Sequence, residues 1–182
     1  MPPGSDTRVF SKRELIEVLA NLIGEDTVIA GVGSPLRMDD RAGLVFCDKL
    51  LAKGFKCIKC EYGLENCINE IRESGAVRLV VVDAVLYEGA EPGEIVVASG
   101  DALAEKYSLA TTHTLPVKTV LRILGETGVR EVYVVGIAPK QLGYGLEVSD
   151  KVAESVEKLV EAFTSVLAGK QGRSSGERGD DA

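Results

Sequence analysis

Two adjacent carboxylates, Asp39 and Asp40, close the stretch GVGSPLRMDD, where an apolar run passes through a glycine turn toward a helical segment. A third, Asp83, ends VVVD in the most hydrophobic run of the chain, and His113, the only histidine, stands in TTHTLPVKTV just before another helical segment. An ionised carboxylate closing an apolar run is costly unless it is solvated, hydrogen-bonded or bound to a cation. Two carboxylates and one imidazole suit an intermediate first-row divalent ion such as nickel or zinc. An ion held in that way polarises a carbonyl or activates water. Each residue also has a plainer reading: Asp39 or Asp40 as a helix cap, Asp83 as an acceptor for backbone N–H groups of a neighbouring loop, His113 as a surface side chain. Their coincidence at one edge of a sheet favours a cation site over three separate accidents.

Other chemistries fit less well. There is no G-x-S-x-G elbow, since Ser34 in GVGSPL is followed by Pro35. GVGSPL supplies the first two glycines of a dinucleotide fingerprint but has Leu36 at the third position, and the charges of Asp39 and Asp40 would repel a pyrophosphate there. VVDAV lacks the small-residue turn of a proton-sharing aspartic dyad, and no cysteine falls where it could pair with His113 as a thiol nucleophile. Cys57 and Cys60 lie three apart in an alternating, strand-like run, so they point to opposite faces and do not converge on one ion. The four cysteines therefore read as structural or incidental thiols.

The elements that must position these residues follow from periodicity. SKRELIEVLANLIG has capping-box spacing at Ser11 and Glu14 and an apolar face from Leu15 to Ile23, which predicts a helix over 11–24. TVIAGVG predicts a buried strand, 39–53 a helix stopped by Gly54, FKCIKCE a strand and 64–73 a helix. The β-branched run VRLVVVDAV predicts a central parallel strand buried on both faces. GEIVVAS follows too closely for a helical crossover, so it should pair antiparallel at an edge. A helix over 115–125, the strand REVYVVGIA and a helix over 149–167 complete the pattern. The expectation is an α/β fold: a three-layer α/β/α sandwich on a mainly parallel, twisted five-strand sheet with one antiparallel edge strand. Residues 1–168 form one domain, and 169–182, rich in Gly, Ser and charge without periodicity, form a disordered tail. In such sheets ligands bind beyond the carboxyl ends of the strands, which is where GVGSPLRMDD, Asp83 and the approach to His113 should meet.

Composition narrows the partners. Lysine and arginine number 21 against 28 acidic residues, a net charge of −7, and 45% of the residues are hydrophobic. An acidic globular chain is a poor match for nucleic acid or anionic membrane, which are bound by neutralising phosphates. No apolar run approaches the roughly 18 residues of a membrane span, and MPPGSDTRVF has no apolar signal region. The reading is a cytoplasmic protein.

With these motifs in hand, the sequence resembles the maturation endopeptidases of NiFe hydrogenases. The family's opening motif, G-x-G-N and, four residues on, Asp-Asp or Asp-Glu with a later glycine, resembles GVGSPLRMDDRAG. Its strand-ending Asp-Ala resembles VVDAV, its Pro-Gly is matched by Pro92 and Gly93, and its histidine before a helix by His113. GIAP at 136–139 and GYGLEVSDKV match its lead-in to the last helix, so the likeness spans about residues 27–167. Ser34 stands where the family has Asn, and the helix over 11–24 is an addition. The resemblance implies an endopeptidase that removes a C-terminal extension from the nickel-loaded large-subunit precursor of a NiFe hydrogenase. It implies Asp40, Asp83 and His113 as the catalytic and metal-contacting residues, with nickel arriving on the substrate as recognition element. The alternative reading keeps the ligands without the chemistry, as a nickel-dependent checkpoint or chaperone for the same precursor.

Overall fold

The computed structural model describes residues 7–9, 11–110 and 115–176. In chain order these form β1 (Thr7–Val9), α1 (Lys12–Leu22), β2 (Thr27–Gly33), α2 (Ala42–Ala52), β3 (Ile58–Glu61), α3 (Ile68–Glu73) and β4 (Arg78–Leu86). Then come β5 (Ile95–Ser99), α4 (Gly100–Lys106), β6 (Ser108–Leu109), α5 (Val117–Glu126), β7 (Glu131–Ile137) and α6 (Asp150–Gly176). The strands lie in the order β1-β5-β7-β4-β2-β3, with β6 paired to the end of β4. The contacts β3–β2, β2–β4 and β4–β7 are parallel, and β5 is antiparallel to β7.

Alternation along the strands sends side chains into two cores, which makes the three layers. Ile29, Val80, Val82, Val97 and Val135 face α1, α2 and α6 and pack with Leu15, Leu19, Phe46, Leu159 and Phe163. Leu79, Val81, Val85 and Val134 face the other way, toward Ile71, Leu103, Val120 and Leu124. β4 is buried on both faces, as its unbroken β-branched run implies. The additional helix α1 starts with the capping box read from Ser11 and Glu14 and seats three fully covered leucines on the first core.

Several expectations change in three dimensions. β5 is antiparallel but not an edge strand, because β1 pairs along its outer side. Two short strands, β1 and β6, and the helix α4 carry too few residues for periodicity to reveal them. Each of the helices expected over 39–53 and 64–73 opens as a 3-10 turn, at Met38–Arg41 and Leu64–Cys67, before the α-helix begins, a common form for a helix start. At the other end α6 continues through 169–176, where a disordered tail was expected. A helix once started gains one hydrogen bond per added residue without needing a buried face, and residues 168–173 are indeed exposed. Residues 177–182 of the expected tail lie outside the described residues. No helix among the described residues is long and apolar enough to cross a membrane.

The cysteine reading also needs correction. All four are paired, as Cys47–Cys57 and Cys60–Cys67, with Cα–Cα separations of 5.5 and 5.6 Å, well within the usual span of a disulfide. Cys57 and Cys60 do diverge, and each meets a partner on its own face of the sheet. One is Cys47 of α2; the other is Cys67 in the turn before α3. Both bonds brace β3, a four-residue strand that pairs only with β2 among the described residues. Closing loops this short should contribute about 2–3 kcal/mol each. Mass spectrometry after alkylation without reductant should therefore find no labelled thiol. Reduction should lower the melting temperature by on the order of 10 °C.

Candidate active site

From β2 the chain crosses through α2 to β3 on one flank, then through α3 to β4 on the other. The crevice between the carboxyl ends of β2 and β4 is thus where the strand order reverses, the usual ligand position in an open α/β sheet. Three glycines shape it. A Cβ on Gly43, in the first turn of α2, would collide with the carbonyl oxygens of Val32 and Val82. One on Gly31 would strike the carbonyl of Gly43, and one on Gly33 the carbonyl of Asp40. The start of α2 and the turn Met38–Arg41 therefore rest directly on the backbones of β2 and β4. The G-x-G spacing serves this close approach, and the turn it seats carries Asp39 and Asp40.

Asp40 and Asp83 are both 0% exposed. Asp83 sits one residue beyond the Gly31–Val82 pair and in register with Gly136 of β7, and its Oδ1 accepts the backbone N–H of Ala84 at 2.8 Å. By strand parity it shares the face of Leu79 and Val81, the face covered by Leu103, Leu109 and Val120. His113 lies outside the described residues. The described chain leading to it comes close: β6 pairs with Val85 and Leu86, and Ala110 N–H donates to the Ala84 carbonyl at 3.0 Å.

Asp39 turns elsewhere. It caps neither the 3-10 turn nor α2, both of which start without a side-chain cap bond. Fully buried, it accepts four hydrogen bonds from the loop that leads into α6. Its Oδ2 takes Lys140 N–H at 2.8 Å, Gln141 N–H at 2.9 Å and Ser149 Oγ–H at 2.9 Å; its Oδ1 takes Ser149 N–H at 2.7 Å. Around it the two segments are laced together. Met38 N–H donates to the Gly145 carbonyl and Gly145 N–H to the Leu36 carbonyl. Arg37 reaches the Leu142 carbonyl and Arg41 that of Leu146. Met38 holds a left-handed φ of 39°, unusual for a non-glycine residue and kept where surroundings over-determine the backbone. The 140–149 loop escaped the motif reading as part of this region; its one sequence signal was GYGLEVSDKV. It leaves Tyr144 88% and Leu146 63% exposed, beside Leu36 at 54%.

A family model described as hydrogenase maturation protease (HycI) matches residues 63–166, more than half of the chain. The chain belongs to the hydrogenase maturation protease family. Asp83 and His113 fall inside the matched residues and Asp40 ahead of them. Among solved structures, the NiFe hydrogenase maturation protease HybD of Thermococcus kodakarensis is 28% identical. That match covers 77% of this chain and 97% of the other with a TM-score of 0.65. HycI of the same organism superimposes with a TM-score of 0.68 at 26% identity, covering 83% and 99%. The endopeptidase HycI of Escherichia coli is 31% identical over 74% of this chain and 86% of its own, with a TM-score of 0.64. Peptide-bond hydrolysis is the reaction class of the family, and the family's sheet is the one described above.

In this protease-family fold the glycine contacts are a direct test of how the crevice is built. Gly43→Ala should cost about 1–3 kcal/mol, the usual penalty for overpacking, read as a lower urea midpoint. A neutral outcome would mean that α2 can move off the sheet without consequence.

Proposed function

We propose that this protease removes a C-terminal extension from the nickel-loaded large-subunit precursor of a NiFe hydrogenase, with Asp40, Asp83 and His113 meeting the precursor's nickel. The observation that carries the reading is the pair of fully buried carboxylates at the switch point of the sheet, one carried by a glycine-packed turn and one by β4 just past its last pairing with β2. Carboxylate oxygens and an imidazole nitrogen form a donor set suited to nickel. The apolar rim of Leu36, Tyr144 and Leu146 supports a macromolecular substrate, since exposed apolar clusters mark contact surfaces.

Nickel here is part of the substrate and, when present, would polarise groups bound to it. The chain's own task is positional. Three donors on a sheet edge cannot select one peptide bond by themselves. A metal already held by the precursor and shared with Asp40, Asp83 and His113 would fix the adjacent bond against the enzyme, and orientation of that kind supplies much of a catalytic rate.

Mass spectrometry of a nickel-loaded precursor incubated with the protease should show loss of the extension, while nickel-free precursor or an isolated C-terminal peptide stays intact. Asp40→Asn, Asp83→Asn and His113→Ala should each abolish processing, with circular dichroism unchanged. Full processing by His113→Ala would remove that residue from the site, and efficient cutting of nickel-free precursor would end the recognition model. Precursor bound but never cut would point to a checkpoint instead.

The rim makes a separate prediction. Tyr144→Ala together with Leu146→Ser should raise KM by about tenfold at unchanged kcat, as expected when uniform binding is lost. Steady-state kinetics on the precursor decide it, and an unaltered KM would place the precursor elsewhere.

A further inference from the structure

We infer that Asp39 is a positioning residue, which through its hydrogen bonds to the 140–149 loop fixes the turn that presents Asp40 to the reacting centre. The inference rests on the proposed function for its kinetic consequence, but its structural argument is independent of it.

Both oxygens of Asp39 are engaged, by donors from two separated points of the loop, Lys140–Gln141 and Ser149. Bonds on both oxygens leave the carboxylate no freedom to rotate. Asp39 and Asp40 are consecutive in a four-residue 3-10 turn, and so short a turn has poor internal hydrogen-bond geometry. It follows a left-handed Met38, so the local sequence does not favour this path. What holds the turn is external: the backbone of β2 below, through Gly33, and the 140–149 loop above, through Asp39. A rotation at residue 39 would carry Asp40 with it, because one peptide unit joins them. Asp39 is committed to donors at 140–149, and Asp40, the next residue and fully buried, is the acid that the proposed function assigns to the reacting centre.

Replacing the carboxylate by an amide tests this closely. Asn has one acceptor oxygen and a donating NH2 group, so Asp39→Asn must oppose at least one of the three backbone N–H donors. Ser149→Ala removes the hydroxyl and leaves all three. On nickel-loaded precursor, Asp39→Asn should lower kcat by about 10- to 100-fold, the scale of a displacement of about 1 Å, with KM little changed. Ser149→Ala should fall between it and the wild type. Phe163→Leu, a fully buried change in α6, serves as the stability control and should keep kcat despite a lower melting temperature. Wild-type kcat in Asp39→Asn, or an equal loss in Phe163→Leu, overturns the inference. If the wild-type protein leaves nickel-loaded precursor uncut, the proposed function fails and Asp39 is judged by titration with nickel chloride instead. Asp39→Asn should then bind about tenfold more weakly, and identical titrations overturn the inference.

Discussion

Backbone rests on backbone where α2 begins, and the rest of the site depends on that contact. With side chains at positions 31, 33 and 43, the helix start would be pushed away from β2 and β4. Protein interiors are packed too densely to absorb such a shift without moving something else. The turn Met38–Arg41 would rise with the helix, and Asp40 with the turn. A glycine-rich turn between a strand and a helix is also how many folds seat a phosphate, using the positive end of the helix dipole. Here the same steric device carries two acidic side chains at the helix start. The turn itself therefore supplies negative charge where such folds receive it from a ligand.

The acid pair shows what burial demands of a carboxylate. Carboxylates taken out of water must find donors or cations. Asp39 is satisfied by four donors that lie about a hundred residues away along the chain. Its bonds bind the opening loop to the lead-in of the last helix and bring the apolar side chains of Leu36, Tyr144 and Leu146 to one rim. The loop that Asp39 anchors is thus continuous with an exposed apolar rim.

Behind the crevice the scaffold is braced unevenly. The central strands β2, β4 and β7 are covered on both faces by apolar side chains. The outer strand β3 is short and among the described residues pairs only with β2, and one disulfide attaches within it at Cys60 and the other just before it at Cys57. Covalent ties act mainly on the unfolded chain, so they stabilise a strand that has little area of its own to bury. The Met38–Arg41 turn and α2 lie between β2 and β3 in chain order, and the Cys47–Cys57 bond ties α2 to the chain entering β3.

By itself, the sequence determined whatever depends on neighbours within a few residues. Periodicity placed α1, α6 and the principal strands, and the β-branched run marked the central strand β4, which continues past Asp83 to Leu86 rather than ending at it. The order of these elements was enough to point to the sheet edge where Asp40 and Asp83 are found, and the motifs along it to the protease family. Only the tertiary structure decided what holds the first acid of the pair. Asp39 finds its donors at 140–149, and nothing in the local pattern of an aspartate distinguishes a helix cap from an anchor for a distant loop. The cysteine pairing has the same origin: alternation showed that Cys57 and Cys60 diverge, but not that Cys47 and Cys67 wait on the two faces. Likewise β1 is three residues long, and it is a strand because β5 offers it an open edge. Local pattern is written in the spacing of residues, whereas a partner a hundred positions away exists only once the chain has folded.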